Sequence, residues 1–374
     1  MKIGLICDSL GQKTGGIVRF DEILIQWLLD NNKEHEFHVF LPCPDYCIHF
    51  QGYERMHWHE WPKGFLSYYS KYQILKNTIQ KYNLECLHYL ENLTWFIFPG
   101  ISIVSTVHDI SPVKFWNKPW MSLGIKIFYL LNLKLTLKRA SIIVTDSEAS
   151  KKDICLFNNS REQGNIKVIY PGNPFNGQQL KPVLKLDKKP FILVPCTFQK
   201  RKNIPGMLKA FEQFKEKHSL DLTLVITGQR NVSKNEAYRE TLKRLHEMQY
   251  KNDVIILEGV SHEEMQWLYL KAVLIFYVTF YEAFGFPIVE SLISGTPVIA
   301  GNIGSCPEIG KDFALYCNPY DISQITACLE DVLIHKKYQL SKEEASSFVS
   351  SRYSLEQMGS GYLKVYEEAQ RLRT

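Results

Sequence analysis

Residues 280–300 read Phe280-Tyr-Glu282-Ala-Phe284-Gly285-Phe286-Pro287-Ile288-Val-Glu290-Ser-Leu-Ile-Ser-Gly295-Thr-Pro297-Val298-Ile-Ala300. An apolar run ends before Glu282, a Gly-Phe-Pro turn follows, and a helical stretch leads through Gly295 into another apolar run. This is strand, turn, helix, strand, the repeating unit of a parallel sheet. Proline is well tolerated in a first helical turn, where its missing N–H is not needed. The unpaired N–H groups around Gly285, Phe286, Pro287 and Ile288 predict an anion site suited to phosphate. Glu282 falls at the strand-to-helix turn, on the ligand side of the sheet, and Glu290 inside the helix.

The same alternation extends in both directions. Before residue 150, β-rich runs at 3–7, 36–41, 85–89, 102–107 and 141–145 alternate with helical periods at 17–29, 68–82 and 121–139. The stretch 170–190, Tyr-Pro-Gly-Asn-Pro-Phe-Asn-Gly and then a Lys/Pro-rich run, reads as a linker. Beyond it, strands are expected at 191–194, 222–227, 254–257, 273–276 and 297–300, with helices at 204–217 and 235–249. The fold class is therefore α/β, with two doubly wound, Rossmann-like domains at 1–175 and 188–350. Ligands of such sheets bind beyond the carboxyl ends of the strands, so two facing sheets would place a site in a central cleft.

Composition is that of an ordinary globular chain. Of 374 residues 45% are hydrophobic and 22% charged, which excludes disordered, collagenous and disulfide-scaffold classes. A net charge of +5 is too mild to indicate nucleic acid as a partner. The start reads as a first strand, not a signal peptide, and no window approaches a membrane span. The nine cysteines are then reduced thiols of a cytoplasmic protein. Cys43, Cys47 and His49, with His57 and His59 nearby, offer metal-ligand types, but their spacing is not that of a zinc knuckle, and no metal is expected. Gly11-Gln-Lys-Thr-Gly15-Gly16 is not a P-loop, and the first strand is followed by no Gly-x-Gly-x-x-Gly, which argues against a Rossmann oxidoreductase.

The 280–300 segment resembles the signature of retaining, nucleotide-sugar-dependent glycosyltransferases of the GT-B fold, family 4. It matches that pattern at Glu282, Phe284, Gly285, Pro287, Glu290, Gly295, Pro297 and Val298. The resemblance implies that Glu282 lies near the sugar and transition state and that Glu290 binds the nucleotide ribose. Four further segments resemble the family in the same order. Gly15-Gly16 follows the first strand, where glycines let the backbone approach a phosphate or acceptor closely. His108-Asp109 ends the fourth expected strand, the His lying against the donor sugar. Thr197 through Arg201-Lys202-Asn203 is similar to the diphosphate-binding turn. Lys202 matches the diphosphate lysine, Thr197 stands where the family often has arginine, and Arg201 is the substitute charge. Glu308, after Gly304-Ser-Cys-Pro, matches a binding loop. A helix at 354–374 would return to the first domain.

The resemblance implies transfer of a hexose from a nucleoside-diphosphate sugar, GDP- or UDP-linked, to a hydroxyl of a glycan or lipid-linked glycan. Retention by front-face attack without a metal cofactor is expected, as in surface polysaccharide (O-antigen or capsule) assembly, with a slight lean to mannose. The catalytic set is Glu282, His108 and Lys202. Arg201, Glu290, Thr197, Phe284, Gly285, Phe286, Pro287, Ile288 and Gly16 bind donor, and Gly15, Asp109 and Glu308 serve the acceptor or assist. The alternatives are a non-catalytic or partner-dependent GT-B binding protein and a GT-B sugar-nucleotide epimerase. From Ile110 to Thr145 the chain has Lys114, Lys118, Lys126, Lys134, Lys138 and Arg139 and no acid, with aromatics interleaved. That pattern suits peripheral contact with an anionic membrane at its cytoplasmic face, near an undecaprenyl-diphosphate-linked acceptor. A buried amphipathic helix with a solvated lysine face is the other reading.

Overall fold

The computed structural model describes residues 1–10, 15–42, 54–62, 67–91, 96–118, 121–158, 164–173, 175, 180–183, 186, 189–228 and 236–372. Cys43, Cys47 and His49 lie outside these residues. The chain divides into two compact units, Met1–Gly172 with Ser354–Thr374, and Asn173–Tyr353.

The first unit runs β1 (Lys2–Ile6), α1 (Gly16–Asn31), β2 (Glu36–Leu41), β3 (Met56–Glu60), α2 (Tyr68–Tyr82), β4 (Cys86–Tyr89) and β5 (Ser102–Thr106). It continues with α3 (Ser111–Lys114), α4 (Leu123–Arg139), β6 (Ile142–Thr145), α5 (Glu148–Phe157) and β7 (Ile166–Val168). Its seven strands are ordered β3-β2-β1-β4-β5-β6-β7, and every pairing is parallel. Strands such as Ile142-Ile-Val-Thr145 are buried along their whole length. A parallel sheet covered on both faces requires this, since neither side of the strand meets water.

The second unit runs β8 (Phe191–Pro195), α6 (Ile204–Lys217), β9 (Thr223–Thr227), α7 (Glu236–Glu247), β10 (Val254–Leu257), α8 (His262–Lys271) and β11 (Leu274–Tyr277). Then come α9 (Phe286–Ser294), β12 (Val298–Gly301), α10 (Cys306–Gly310), β13 (Leu315–Cys317), α11 (Ile322–Leu333) and α12 (Lys342–Arg352). Its sheet is ordered β10-β9-β8-β11-β12-β13, again all parallel. Met207, Leu208, Phe211 and Phe214 of α6 pack on Ile192, Val194 and Leu224 in its core. Those helical positions follow the three-and-four spacing of a single buried stripe.

The last helix, α13 (Leu355–Arg371), belongs to the first unit. Three buried polar contacts dock it: Ser102 Oγ donates to the Ala369 carbonyl at 2.7 Å, His88 Nδ1 meets the Tyr366 hydroxyl at 2.8 Å, and Thr106 Oγ1 meets the Tyr362 hydroxyl at 3.1 Å. Burial holds the His88 ring down to about 3, so it is neutral and can accept from a hydroxyl. The Trp27 ring of α1 lies against Gly359, where even a methyl group would overlap it.

Candidate active site

In the second sheet the order of strands reverses between β8 and β11, and the crevice beyond such a pair is where open parallel sheets take ligands. β8 leads into a single 3-10 turn, Lys200–Lys202, immediately before α6. Asn203 closes that turn in a left-handed conformation, φ 54°. Its amide donates to the carbonyls of Val278 at 3.0 Å and Pro319 at 2.9 Å, which fixes the conformation. The loop after β11 is joined to the same turn by the Phe280 N–H, which donates to the Arg201 carbonyl at 2.8 Å. Residues about 80 apart in sequence thereby meet.

What meets is a three-charge cluster. Arg201 Nη1 donates to Glu282 Oε2 at 2.7 Å and to the Tyr281 carbonyl at 3.1 Å. Lys202 Nζ donates to Glu282 Oε1 at 2.8 Å and to the Tyr277 hydroxyl at 3.2 Å. Glu282 is only 6% exposed and Lys202 8%. Burial alone would raise the Glu282 carboxyl, but the two cations outweigh it and hold it below the usual carboxylate range. Burial likewise lowers the Lys202 ammonium, and Glu282 opposes that. Two cations against one carboxylate leave one net positive charge, at the place where α6 begins.

The neighbouring loops hold Glu282 in place. The Ser305 hydroxyl donates to the carbonyls of Glu282 at 3.1 Å and Phe284 at 2.8 Å. Gly304, φ 67°, passes so close that a Cβ there would sit 2.6 Å from the Glu282 carbonyl oxygen. Gly285, φ 97°, turns the chain into α9 with Pro287 in the first turn. Phe284 is buried against Phe286 and Tyr353, with ring centroids 5.1 Å and 5.6 Å away. Ile288 and Glu290 are buried on α9. The Thr197 carbonyl accepts from the Gln199 N–H at 2.8 Å, and Glu308 is half-buried on the short α10.

In the first sheet the reversal falls between β1 and β4. Asp8 and Ser9 follow β1, Glu91 follows β4, His108 follows β5 and Asp146 follows β6. His108 is buried, its Nδ1 on Asp146 Oδ2 at 2.8 Å and its Nε2 on the Leu90 carbonyl at 2.9 Å. Both partners are acceptors, so both ring nitrogens donate and the ring is an imidazolium. Burial alone would strip that proton; the Asp146 charge and hydrogen bond prevail and push the ring up to about 9. Ser9 donates its N–H to Glu91 Oε1 and its hydroxyl to Asp21 Oδ2. Burial, aided by Asp8, pushes Glu91 up to about 7, and burial with Glu91 raises Asp21 well above a normal carboxyl. Asp8 Oδ1 accepts from Lys71 Nζ at 2.8 Å and from the Trp61 indole at 2.6 Å. Asp109, two residues before α3, accepts from the N–H (2.9 Å) and hydroxyl (2.8 Å) of Ser111. Gly15 precedes α1 and Gly16 is its first residue.

Asp8, Asp21, Glu91 and Asp146 are not among the site residues expected from sequence. Asp8 and Asp146 could have been found, since each directly follows an expected strand at its ligand end. Asp21 lies on a helix face that is otherwise apolar and gives no sign of itself.

On α4 the expected division of apolar and basic faces is absent. Leu123 (61% exposed), Ile125, Ile127, Leu131 (62%) and Leu135 all face outward, with Lys134, Lys138 and Arg139 exposed beside them. Lys126 instead turns inward, its ammonium donating to the carbonyls of Trp116 at 2.5 Å and Lys118 at 2.7 Å. Lys114 pairs with Asp153 at 2.6 Å. Among the described residues no helix is long and apolar enough to cross a membrane.

Residues 177–346 match the family Glycosyl transferases group 1. O-antigen chain mannosyltransferase B of Escherichia coli is 30% identical over 232 residues, 60% of this chain and 59% of that one. O-antigen chain mannosyltransferase RfbU of Salmonella typhimurium is 28% identical over 229 residues, 61% of this chain and 60% of that one. The chain thus spans about three fifths of the length of these two curated relatives. Sucrose-phosphate synthase from Thermosynechococcus elongatus superimposes with a TM-score of 0.75 over 98% of both chains, at 18% identity. Residues 177–346 are therefore similar to the family Glycosyl transferases group 1, and the chain has the GT-B fold.

Proposed function

We propose that this chain is a retaining glycosyltransferase that moves a hexose from a nucleoside-diphosphate sugar to a hydroxyl of a glycan in bacterial surface polysaccharide assembly. The observation that carries this is the Arg201–Glu282–Lys202 cluster at the strand reversal of the second sheet. As the bond to the anomeric carbon breaks, charge gathers on the departing diphosphate. Lys202, Arg201 and the first N–H groups of α6 and α9 are fixed donors for that charge, which is the work a divalent cation does elsewhere. Their net positive charge supports a reaction that needs no added metal. Glu282, held ionised, supplies negative charge beside the developing oxocarbenium. His108, with both nitrogens engaged, contributes a fixed positive charge rather than a free base.

Mannose is the favoured hexose because both curated relatives named above are mannosyltransferases of O-antigen chains. The acceptor reading is a lipid-linked glycan, recognised by the carboxyl groups beyond β1 and β4 and presented at a membrane. The outward leucines and isoleucines of α4, flanked by Lys134, Lys138 and Arg139, suit insertion among anionic headgroups.

The test is a thermal-shift panel of UDP, GDP, dTDP, ADP and their common sugars with no divalent cation added. A ligand that binds only the folded chain raises its melting temperature by mass action. Selective stabilisation by one base, lost in Lys202→Ala, is the expected result. No shift with any nucleotide would refute the donor assignment and favour a non-catalytic GT-B binding protein.

A further inference from the structure

The outer two strands of the first sheet carry a cluster that the glycosyl-transfer reading does not use. β2 and β3 pair in parallel with His38 opposite His57 and Phe40 opposite His59. Alternation along each strand then puts Glu36, His38, His57 and His59 on one face. Glu36 Oε1 lies 3.2 Å from His38 Nε2 and 3.0 Å from His57 Nε2. One ligand atom from each of Glu36, His38 and His57 lies within 4.8 Å of the other two.

The geometry points to a site for a zinc-class transition-metal dication, bound by Glu36, His38 and His57 with water in the fourth position. Imidazole nitrogens with one carboxylate oxygen are a donor set for zinc, cobalt or nickel rather than for calcium or magnesium. Bond lengths of about 2.0–2.2 Å to zinc put tetrahedral ligand atoms about 3.3–3.5 Å apart. Two sides of the triangle are already close to that. The third closes by a turn of the His57 ring, which is on the marginal strand and 38% exposed.

The surroundings are those that orient metal ligands. Lys2 Nζ lies 3.3 Å from Glu36 Oε2, which leaves Oε1 for the ion. His38 Nδ1 is 3.0 Å from His59 Nε2. With His38 Nε2 on the metal, its Nδ1–H donates to His59, so the second ring fixes the tautomer of the first. The Tyr82 ring from the end of α2 packs 4.4 Å from the His38 ring. Four strand spacings separate β3 from β5, about 19 Å at the usual interval. An ion here would pin the marginal strand to β2 and leave the chemistry beyond β5 untouched.

The test uses the full chain without a purification tag, stripped with a chelator, dialysed, and titrated with zinc sulfate. Bound metal is counted by atomic emission, the melting temperature is followed by calorimetry, and cobalt substitution reports coordination by its visible spectrum. One ion per chain, a rise in melting temperature and a tetrahedral cobalt spectrum are expected. His57→Ala and Glu36→Gln should each lose stoichiometric binding while melting, metal-free, near the wild type. His59→Ala should bind about 10–100-fold more weakly. A Cys43→Ser/Cys47→Ser variant should bind as the wild type does. No bound ion in the wild type, binding unchanged in both His57→Ala and Glu36→Gln, or loss in the cysteine variant would overturn the assignment.

Discussion

Replacing Lys202 by methionine keeps the length of the stem and removes the ammonium that meets Glu282 Oε1 at 2.8 Å. Two effects follow, and they separate. In the resting protein Glu282 still holds Arg201 on its other oxygen at 2.7 Å, so its charge is not left unpaired. The loss is one charge-assisted hydrogen bond, about 1.5–3 kcal/mol. Relief of the buried ammonium's desolvation offsets part of that. In the proposed transition state the loss should be larger, because Lys202 would no longer supply a fixed cation to the leaving diphosphate. Removing one such donor costs about 100–1000-fold in kcat, or about 2.7–4 kcal/mol. The assay is transfer from a radiolabelled nucleotide sugar at saturating donor, with melting temperature measured on the same preparation. Lys200→Met is the control. Lys200 lies on the same turn, pairs with Glu236 at 2.9 Å, and has no contact with Glu282, so its rate should stay within about twofold of the wild type. If Lys202→Met keeps its rate, or if both variants slow by the same small factor, the fixed-cation mechanism is refuted.

Other outcomes are equally specific. Gly304→Ala should abolish most turnover and cost about 1–3 kcal/mol of stability by urea denaturation, since it combines a positive φ with a contact at 2.6 Å to the Glu282 carbonyl oxygen; wild-type kinetics would mean that Glu282 need not be held there. Stability should fall as pH rises on the alkaline side. The His108 ring is pushed up to about 9 in the folded chain from its ordinary 6.5, so its contribution is full below pH 6.5 and is lost as pH rises through 9. The size is about 3 kcal/mol, and urea midpoints of His108→Gln should lack this alkaline decline. Leu131→Glu should reduce sedimentation with vesicles rich in anionic lipid, and Lys134→Glu with Lys138→Glu by about tenfold or more, without change in melting temperature. Equal sedimentation of all forms would refute α4 as the docking face.

The long apolar strands and their helices were legible because burial on both faces writes itself into sequence as runs of Val, Ile and Leu. The short outer strands were not. β3 reads Met-His-Trp-His-Glu, half-buried and polar, and β7 and β13 are three residues each, too short to carry a period. Glu282 and Lys202 were legible as chemistry at strand ends, and Arg201 as a neighbouring charge. Their pairing was not, because it depends on Asn203 and Phe280 joining two loops about 80 residues apart. Lys126 shows a different limit. In sequence it is one of six basic residues facing outward by composition, yet it turns inward to satisfy two carbonyls of the loop before α4. His38 sits in the middle of an apolar strand and acquires meaning only from register, which places His57 opposite it.

Transfer itself, followed to its product, decides whether the chain is a retaining enzyme. The wild-type chain is incubated with GDP-mannose and, in parallel, UDP-hexoses, together with an undecaprenyl-diphosphate-linked oligosaccharide, with no divalent cation added. The product is isolated and its new linkage assigned by NMR. One hexose should be added to an acceptor hydroxyl with the anomeric configuration of the donor retained. An inverted linkage, or transfer that appears only when magnesium or manganese is supplied, would contradict this.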